Sequence, residues 1–209
     1  MDILQLLVSG IANGCIYGLL ALGFVLIYKA SEAVNFAQGD MMMLGAFLGV
    51  TFINTSYADL PFLVGITLAA LILGLFGYLL DRFVLRAIFG QPQFAMVILT
   101  IALGFLIRFV AGVIWGHDPT SLETPFIGLV WTVGELMIPV VDAVIIITTV
   151  ALTAILYFFF ARTRLGVAMQ ASSQNQMAAY YMGIPVKRIN AIVWALSGVV
   201  AAIAGVVFA

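Results

Sequence analysis

Four polar side chains in this sequence stand among apolar neighbours that make them expensive, and their chemistry has to be explained first. Asn35, Gln38 and Asp40 open the run VNFAQGDMMMLGAFLGVTFI at residues 34–53, and Arg108 lies inside VILTIALGFLIRFVAGVIWG. Two amides, a carboxylate and a guanidinium supply donors, acceptors and both signs of charge. Asn35, Gln38, Met42, Gly45 and Gly49 recur at i, i+3, i+7, i+10 and i+14, one face of a helix. Polar groups on such a face seek a bundle interior or a wet cavity. Two other readings stay open. Gly39 breaks the helix and bares backbone groups to a pathway, or these residues form a plain helix start in the headgroup zone, where Asp40 also complements the helix dipole. Arg108 lies about two turns from one end of its segment, so it either snorkels to that interface or faces a pathway.

Catalysis has little to work with. The apolar segments hold no His/Glu metal pair and no nucleophile–base pair. His117, beside Asp118 and Pro119, has no second ligand cluster and reads as a turn residue, so no metal site is expected. Cys15 is the only cysteine, which excludes an intramolecular disulfide and a zinc cluster and leaves a small residue inside a helix. A G-x-x-x-x-G-K-[ST] phosphate loop is absent, so nucleotide chemistry has to come from another polypeptide, and no cofactor is expected.

The elements that position these residues follow from composition. Of 209 residues, 65% are hydrophobic and only 8% charged, with a mean hydropathy of +1.23. A water-soluble surface needs roughly a quarter charged residues, so the chain is read as an all-α membrane protein. Its net charge of −1 and eight dispersed basic residues form no patch for nucleic acid. A window of about 20 residues, the length that crosses the hydrocarbon core, finds apolar segments near 4–28, 34–53, 61–80, 93–115, 139–160 and 191–209. They predict one polytopic bundle of about six transmembrane segments over residues 1–209. Strand-like alternation is missing from runs such as VIIITTVALTAILYFFF, which excludes a β-barrel. Met1-Asp2-Ile3 lacks a basic n-region, so the first segment is expected to stay in the membrane.

Charge sidedness orients the bundle. With the N-terminus outside, the inner connections hold Lys29, Arg82, Arg86, Arg162, Arg164, Lys187 and Arg188, while the outer ones, 54–60 and 116–138, hold no Lys or Arg. Such a bias predicts that residues 161–190 are cytoplasmic. Within them Ser173-Gln174-Asn175-Gln176 has capping-box spacing, Gly183 suits a left-handed helix end and Pro185 forbids continuation. A short helix over 173–182, roughly 15 Å long, is expected, with Ala171, Ala178 and Met182 near one face and Met177 and Tyr181 alongside. It is either a docking surface or a helix resting on the membrane. Asn190, beyond it, is expected to tolerate replacement by Gln. Small-residue ridges at Gly10, Gly14 and Gly18, at Gly45 and Gly49, and at Ser197, Ala201 and Gly205 read as helix-packing seams.

The run TRLGVAMQASSQNQMAAYYMGIPVKRI resembles the cytoplasmic signature T-x-x-G-x-x-x-x-A-x-x-x-x-x-x-A-x-x-x-G-I of permease subunits from branched-chain amino-acid type ABC importers, with Thr163, Gly166, Ala171, Ala178, Gly183 and Ile184 in those places. The opening GIANGCIYGLLALGFVLIYKASEAVNFAQGDMMMLGA is similar to that family's, including its N-F-A-Q-G-[DE] box at Asn35 to Asp40. Ala102 stands where a Gly is usual. The resemblance implies a subunit of the bacterial inner membrane that pairs with a homologous permease, receives solute from an external binding protein and couples through Gly166, Ala171, Ala178, Met182, Gly183 and Ile184 to cytoplasmic ATP-binding subunits. Asn35, Gln38, Asp40 and Arg108 would then line the substrate pathway. Family members run on for further membrane segments, so a C-terminally shortened form is expected, one whose final ridge lacks packing partners and which transports poorly. An ion-coupled carrier would need charged groups near the midplane, which the later helices barely supply. A non-transporting scaffold has no use for the polar face at Asn35. The residues leave open whether the cargo is leucine, isoleucine and valine or another small solute such as urea or a short amide.

Overall fold

The computed structural model describes residues 2–31, 34–88, 91–116, 118, 120–133 and 136–209; the turn assigned to His117 falls outside them. Its helices are α1 (Asp2–Ser31), α2 (Gln38–Ile53), α3 (Phe62–Phe83), α4 (Gln93–Trp115), α5 (Val140–Arg162), α6 (Arg164–Gln174), α7 (Gln176–Tyr181) and α8 (Val186–Phe208), with a 3-10 turn at Leu85–Ile88. A proline stands immediately before α3, α4, α5 and α8, at Pro61, Pro92, Pro139 and Pro185. Its fixed φ suits a helix entry, and its missing N–H costs nothing there. Among the described residues, α1, α3 with its 3-10 extension, α4, α5 and α8 are long and apolar enough to cross a membrane. At 16 residues, or roughly 24 Å, α2 is shorter than the hydrocarbon core. The all-helical expectation gains one addition. Val130–Val133 and Leu136–Pro139 pair antiparallel as β1 and β2, in a stretch whose valines, tryptophan and threonine favour a pleated surface.

The last helix is the centre of the bundle, not its edge. Two thirds of the apolar window of α8 (67%) is buried inside the chain, against 17% for α5. α8 packs against α3, α2 and α1, and its small residues make that possible. A Cβ on Gly198 would strike the Leu73 carbonyl of α3, and one on Gly77 of α3 would strike the Trp194 carbonyl of α8. Gly45 lies 2.6 Å, measured from its would-be Cβ, from the Ala202 backbone, and Gly205 sits on the Met42 carbonyl. The ridge of Ser197, Ala201 and Gly205 therefore has its partners within this chain, which corrects the expectation that it would lack them. Asn190 is also corrected as a neutral position. It is 1% exposed on α8, and neither of its side-chain polar atoms has a partner among the described residues. By contrast, Gly10, Gly14 and Gly18 on α1 have nothing within 4 Å of a would-be Cβ, so among the described residues that seam has no packing partner.

At the end of the bundle remote from the basic residues, two loops clasp each other. The Asn54 amide donates to the Ser121 carbonyl at 3.0 Å and accepts from the Glu123 N–H at 2.8 Å, while the Glu123 carboxylate accepts from the Thr55 N–H at 3.0 Å and the Thr55 hydroxyl at 2.8 Å. Between them Leu122, 1% exposed, enters a cluster with Val50, Ile53, Ala69 and Val206. This clasp closes the outer ends of α2, α3 and α8 over their apolar contacts. The Thr55 backbone N–H, with its hydroxyl second, holds the Glu123 carboxyl below its ordinary value.

Two outcomes follow from this packing. Gly198→Val should lower thermal stability in detergent by about 1–3 kcal/mol through overpacking, while Gly14→Ala leaves it unchanged or slightly raised, as unfolding followed by tryptophan fluorescence would register. A depressed carboxyl contributes stability above its ordinary value and loses it as pH falls through the lowered one. Protease resistance of the loop at 120–129 should therefore hold at pH 7 and decline once pH falls below the ordinary glutamate range, and Glu123→Gln should show the acid behaviour already at pH 7.

Candidate functional site

Residues 34–37, just ahead of α2, turn within the bundle. The Phe36 N–H donates to the Thr100 hydroxyl of α4 at 3.2 Å, and Ser197 of α8 reaches both the Gly23 carbonyl of α1 (3.2 Å) and Gln38 Oε1 (2.9 Å). Thr100 lies seven residues into α4, Gly23 eight before the end of α1 and Ser197 eleven into α8. At 1.5 Å per residue the start of α2 is held roughly 10–17 Å from the basic ends of those helices. Asn35 and Gln38 are completely buried, so the headgroup reading of this segment gives way to a helix that begins at membrane depth. The helix break falls at 34–37, ahead of Gly39, which is itself helical. Irregular backbone at such depth survives only where protein satisfies it. Here Asn35 does so: its Oδ1 accepts the Ala37 N–H at 3.0 Å, and its carbonyl accepts the Gln38 N–H at 3.2 Å.

Those bonds also settle how the amides point. With Asn35 Oδ1 committed to Ala37, its Nδ2 faces Gln38 and requires an acceptor there, so Oε1 takes bonds from both Asn35 (3.2 Å) and Ser197. Gln38 Nε2 is thereby turned toward Gly23, fully buried and without a partner among the described residues. Only glycine at 23 leaves room for that amide.

Two residues past Gln38, Asp40 Oδ1 accepts from Arg108 Nε at 3.0 Å and Nη2 at 2.7 Å. Helical side chains lean toward their own N-terminus. For α4 that is the basic end, so Arg108 points toward mid-membrane and to Asp40, which replaces the snorkelling reading. Gly104, one turn before Arg108, lies against Asp40 Oδ2 with no room for a Cβ. The Arg108 side chain remains 64% uncovered by the chain while Asp40 is only 11% exposed, so the pair joins a sheltered anion to a cation with free donors. Further out, the Trp115 indole N–H donates to the Thr51 hydroxyl at 2.7 Å, and its ring stacks on Phe47. Asn35, Gln38, Asp40 and Arg108 are thus brought together along the α2–α4 and α2–α8 seams. Gly23, Thr100, Gly104 and Ser197 complete the group, and Ser197 alone carried a signal in the sequence, as part of a packing ridge.

A second cluster lies at the basic end. Thr163 caps α6, its hydroxyl accepting the Gly166 N–H at 3.0 Å and donating to the Phe159 carbonyl at 2.7 Å, and Gly166 is pressed against the Phe160 backbone. The expected helix at 173–182 is shorter than the capping-box spacing suggests. Ser173 donates to the Gln170 carbonyl within the last turn of α6, and Asn175 instead caps α7, accepting the Ala178 N–H at 2.9 Å. Gly183, at φ 83°, ends α7 as expected. Its N–H reaches the Tyr180 carbonyl and the Ile184 N–H the Ala179 carbonyl, both at 3.0 Å, which is the Schellman pattern. Ala179 is buried beneath the helix, whereas Met177, Ala178, Tyr180, Tyr181 and Met182 are exposed. Ala171 is exposed on α6, and Ile184 packs against the core cluster of α1, α5 and α8.

The chain is 27% identical over 215 residues to the high-affinity branched-chain amino acid transport system permease protein BraD of Pseudomonas aeruginosa, an alignment covering 97% of this chain and 69% of that protein. It is 26% identical to LivH of Salmonella typhimurium, again over 97% and 69%. With the probable branched-chain amino acid transport permease LivH of Methanocaldococcus jannaschii it shares 29% identity over 90% of this chain and 60% of that protein. No solved structure matches. The family model for the permease component of branched-chain amino acid transport systems matches residues 6–209, and the chain belongs to that family.

Proposed function

We propose that this chain is the membrane permease subunit of an ABC importer for branched-chain amino acids or related small polar solutes. ATP hydrolysis resides on separate cytoplasmic subunits, a second homologous permease completes the pathway, and an external solute-binding protein delivers cargo. The observation that carries the reading is α7. A six-residue helix has its own cap, a glycine-dependent stop and a buried anchor at Ala179, yet it turns two methionines and two tyrosines outward. Such an exposed apolar group is a contact surface waiting for a partner. Its place beside Arg162, Arg164, Lys187 and Arg188 supports a cytoplasmic setting, with the N-terminus outside, in the inner membrane of a bacterium.

Asn35, Gln38, Asp40 and Arg108 form the pathway in this reading. The Arg108 donors left free beside Asp40 offer hydrogen bonds that no described residue takes up. A zwitterionic solute carries a carboxylate for Arg108 and an ammonium for Asp40.

Ala178→Glu places an unpaired charge in the α7 contact and should weaken association with the ATPase subunits at least about tenfold. Gly183→Val, forced into a left-handed conformation at a cost of about 1–2 kcal/mol, should do the same by misdirecting the helix end. Both should leave membrane insertion intact, as co-purification from membranes would establish. Unchanged association in both variants would move the reading toward an ion-coupled carrier or a scaffold. For the pathway, Arg108→Leu and Asp40→Leu should each reduce uptake, and thermal unfolding of the single and double variants should reveal a coupling of about 0.5–3 kcal/mol.

A further inference from the structure

A cavity of about 400 Å³ lies between α1, α5 and α6, away from the polar node at Gln38. Its walls are Leu22, Leu26, Leu156 and Phe160, with Val193 of α8 behind and one hydroxyl, Thr153, near the deep end. Its other end is polar: Lys29 from the last turn of α1 meets Gln170 and Ser173 of α6. From Leu22 to Lys29 along α1, and from Thr153 to Ala161 along α5, the trough runs roughly 10–12 Å parallel to the helices. That is most of the ~15 Å depth of a single leaflet's hydrocarbon. Among the described residues no carboxylate lines it. Lys29 makes no ion pair among the described residues, and neither do Arg162, next after the lining residue Ala161, and Arg164, two residues further on.

An apolar trough of leaflet length ending in a cationic, hydrogen-bonding mouth is complementary to an amphiphile lying as a membrane lipid lies. Basic pockets between membrane helices on the inner side recruit anionic headgroups. We propose that this groove is a binding site for an anionic phospholipid of the inner leaflet, its acyl chain between α1 and α5 and its phosphate at Lys29, Gln170 and Ser173. The lipid would then brace the junction of α5 and α6, on which the coupling surface is built.

The test uses the full chain purified in detergent, offered phosphatidylglycerol or phosphatidylcholine at equal concentration and examined by native mass spectrometry. Phosphatidylglycerol should be retained in preference. Lys29→Gln should reduce its retention about fivefold, the effect of one basic residue at an anionic surface, and leave phosphatidylcholine unaffected. Val25→Trp, made from a position 48% exposed on the groove wall, should reduce retention of both by filling the trough. Circular dichroism checks that each variant is folded, and Lys29, an exposed residue in the last turn of α1, keeps the test sound should the tryptophan variant fail. Equal retention of the two lipids, or retention indifferent to Lys29→Gln, would overturn the proposal. So would displacement of phosphatidylglycerol by millimolar inorganic phosphate, which would mark a plain anion site.

Discussion

A helix that starts inside a membrane must find partners there for its first N–H groups, since no water is available to take them. In this chain that demand falls on Asn35. Its side chain closes the turn before α2, and its amide nitrogen then dictates the orientation of Gln38, which in turn receives Ser197. The rest of the bundle follows from this node. α1 must carry glycine at 23 so that the Gln38 amide can enter, and α8 must pass close enough for its serine to reach both α1 and α2. α4 is drawn in alongside through Thr100 and Arg108.

The node also explains why α8 is sheathed in small residues. A helix pinned by one serine to two neighbours is held at a short separation, and only glycine and alanine tolerate carbonyl contact along the remaining length. Such close backbone approach is how membrane helices gain attraction without a hydrophobic driving force. The outer clasp between Asn54, Thr55, Ser121 and Glu123 closes the far ends of the same helices. α2 is therefore fastened both where it begins and where it ends, although it is too short to span.

Much of this was legible in the sequence. Hydropathy located six apolar segments to within a few residues of the observed helices, the basic residues gathered at one end, and Gly183 with Pro185 marked the end of α7. The face read from Asn35 to Gly49 is helical only from Gln38 onward, with Gly45 and Gly49 resting on Ala202 and Val206, while Asn35 lies in the turn before α2. Periodicity reports which residues share one face of one helix; it carries no information on which helices meet. For that reason Arg108 could not be matched to Asp40, Gly23 and Gly104 gave no sign that they make room for Gln38 and Asp40, and the central position of α8 was missed. At 173–176 two local rules competed: Ser173 satisfied the capping-box spacing, but α6, started by Thr163, ran on through it, and Asn175 became the cap.

The Schellman turn at Gly183 is followed at once by Pro185 and α8, so no slack chain separates α7 from the rod that carries Ser197. Ser197 sits eleven residues, or roughly 16 Å, along α8. The bond from Ser197 to Gln38 is 2.9 Å, and a hydrogen bond has lapsed by about 3.6 Å. A displacement of about 0.7 Å along that line would therefore break the bond to Gln38, and only residues 182–185 separate α7 from the start of the helix that bears Ser197.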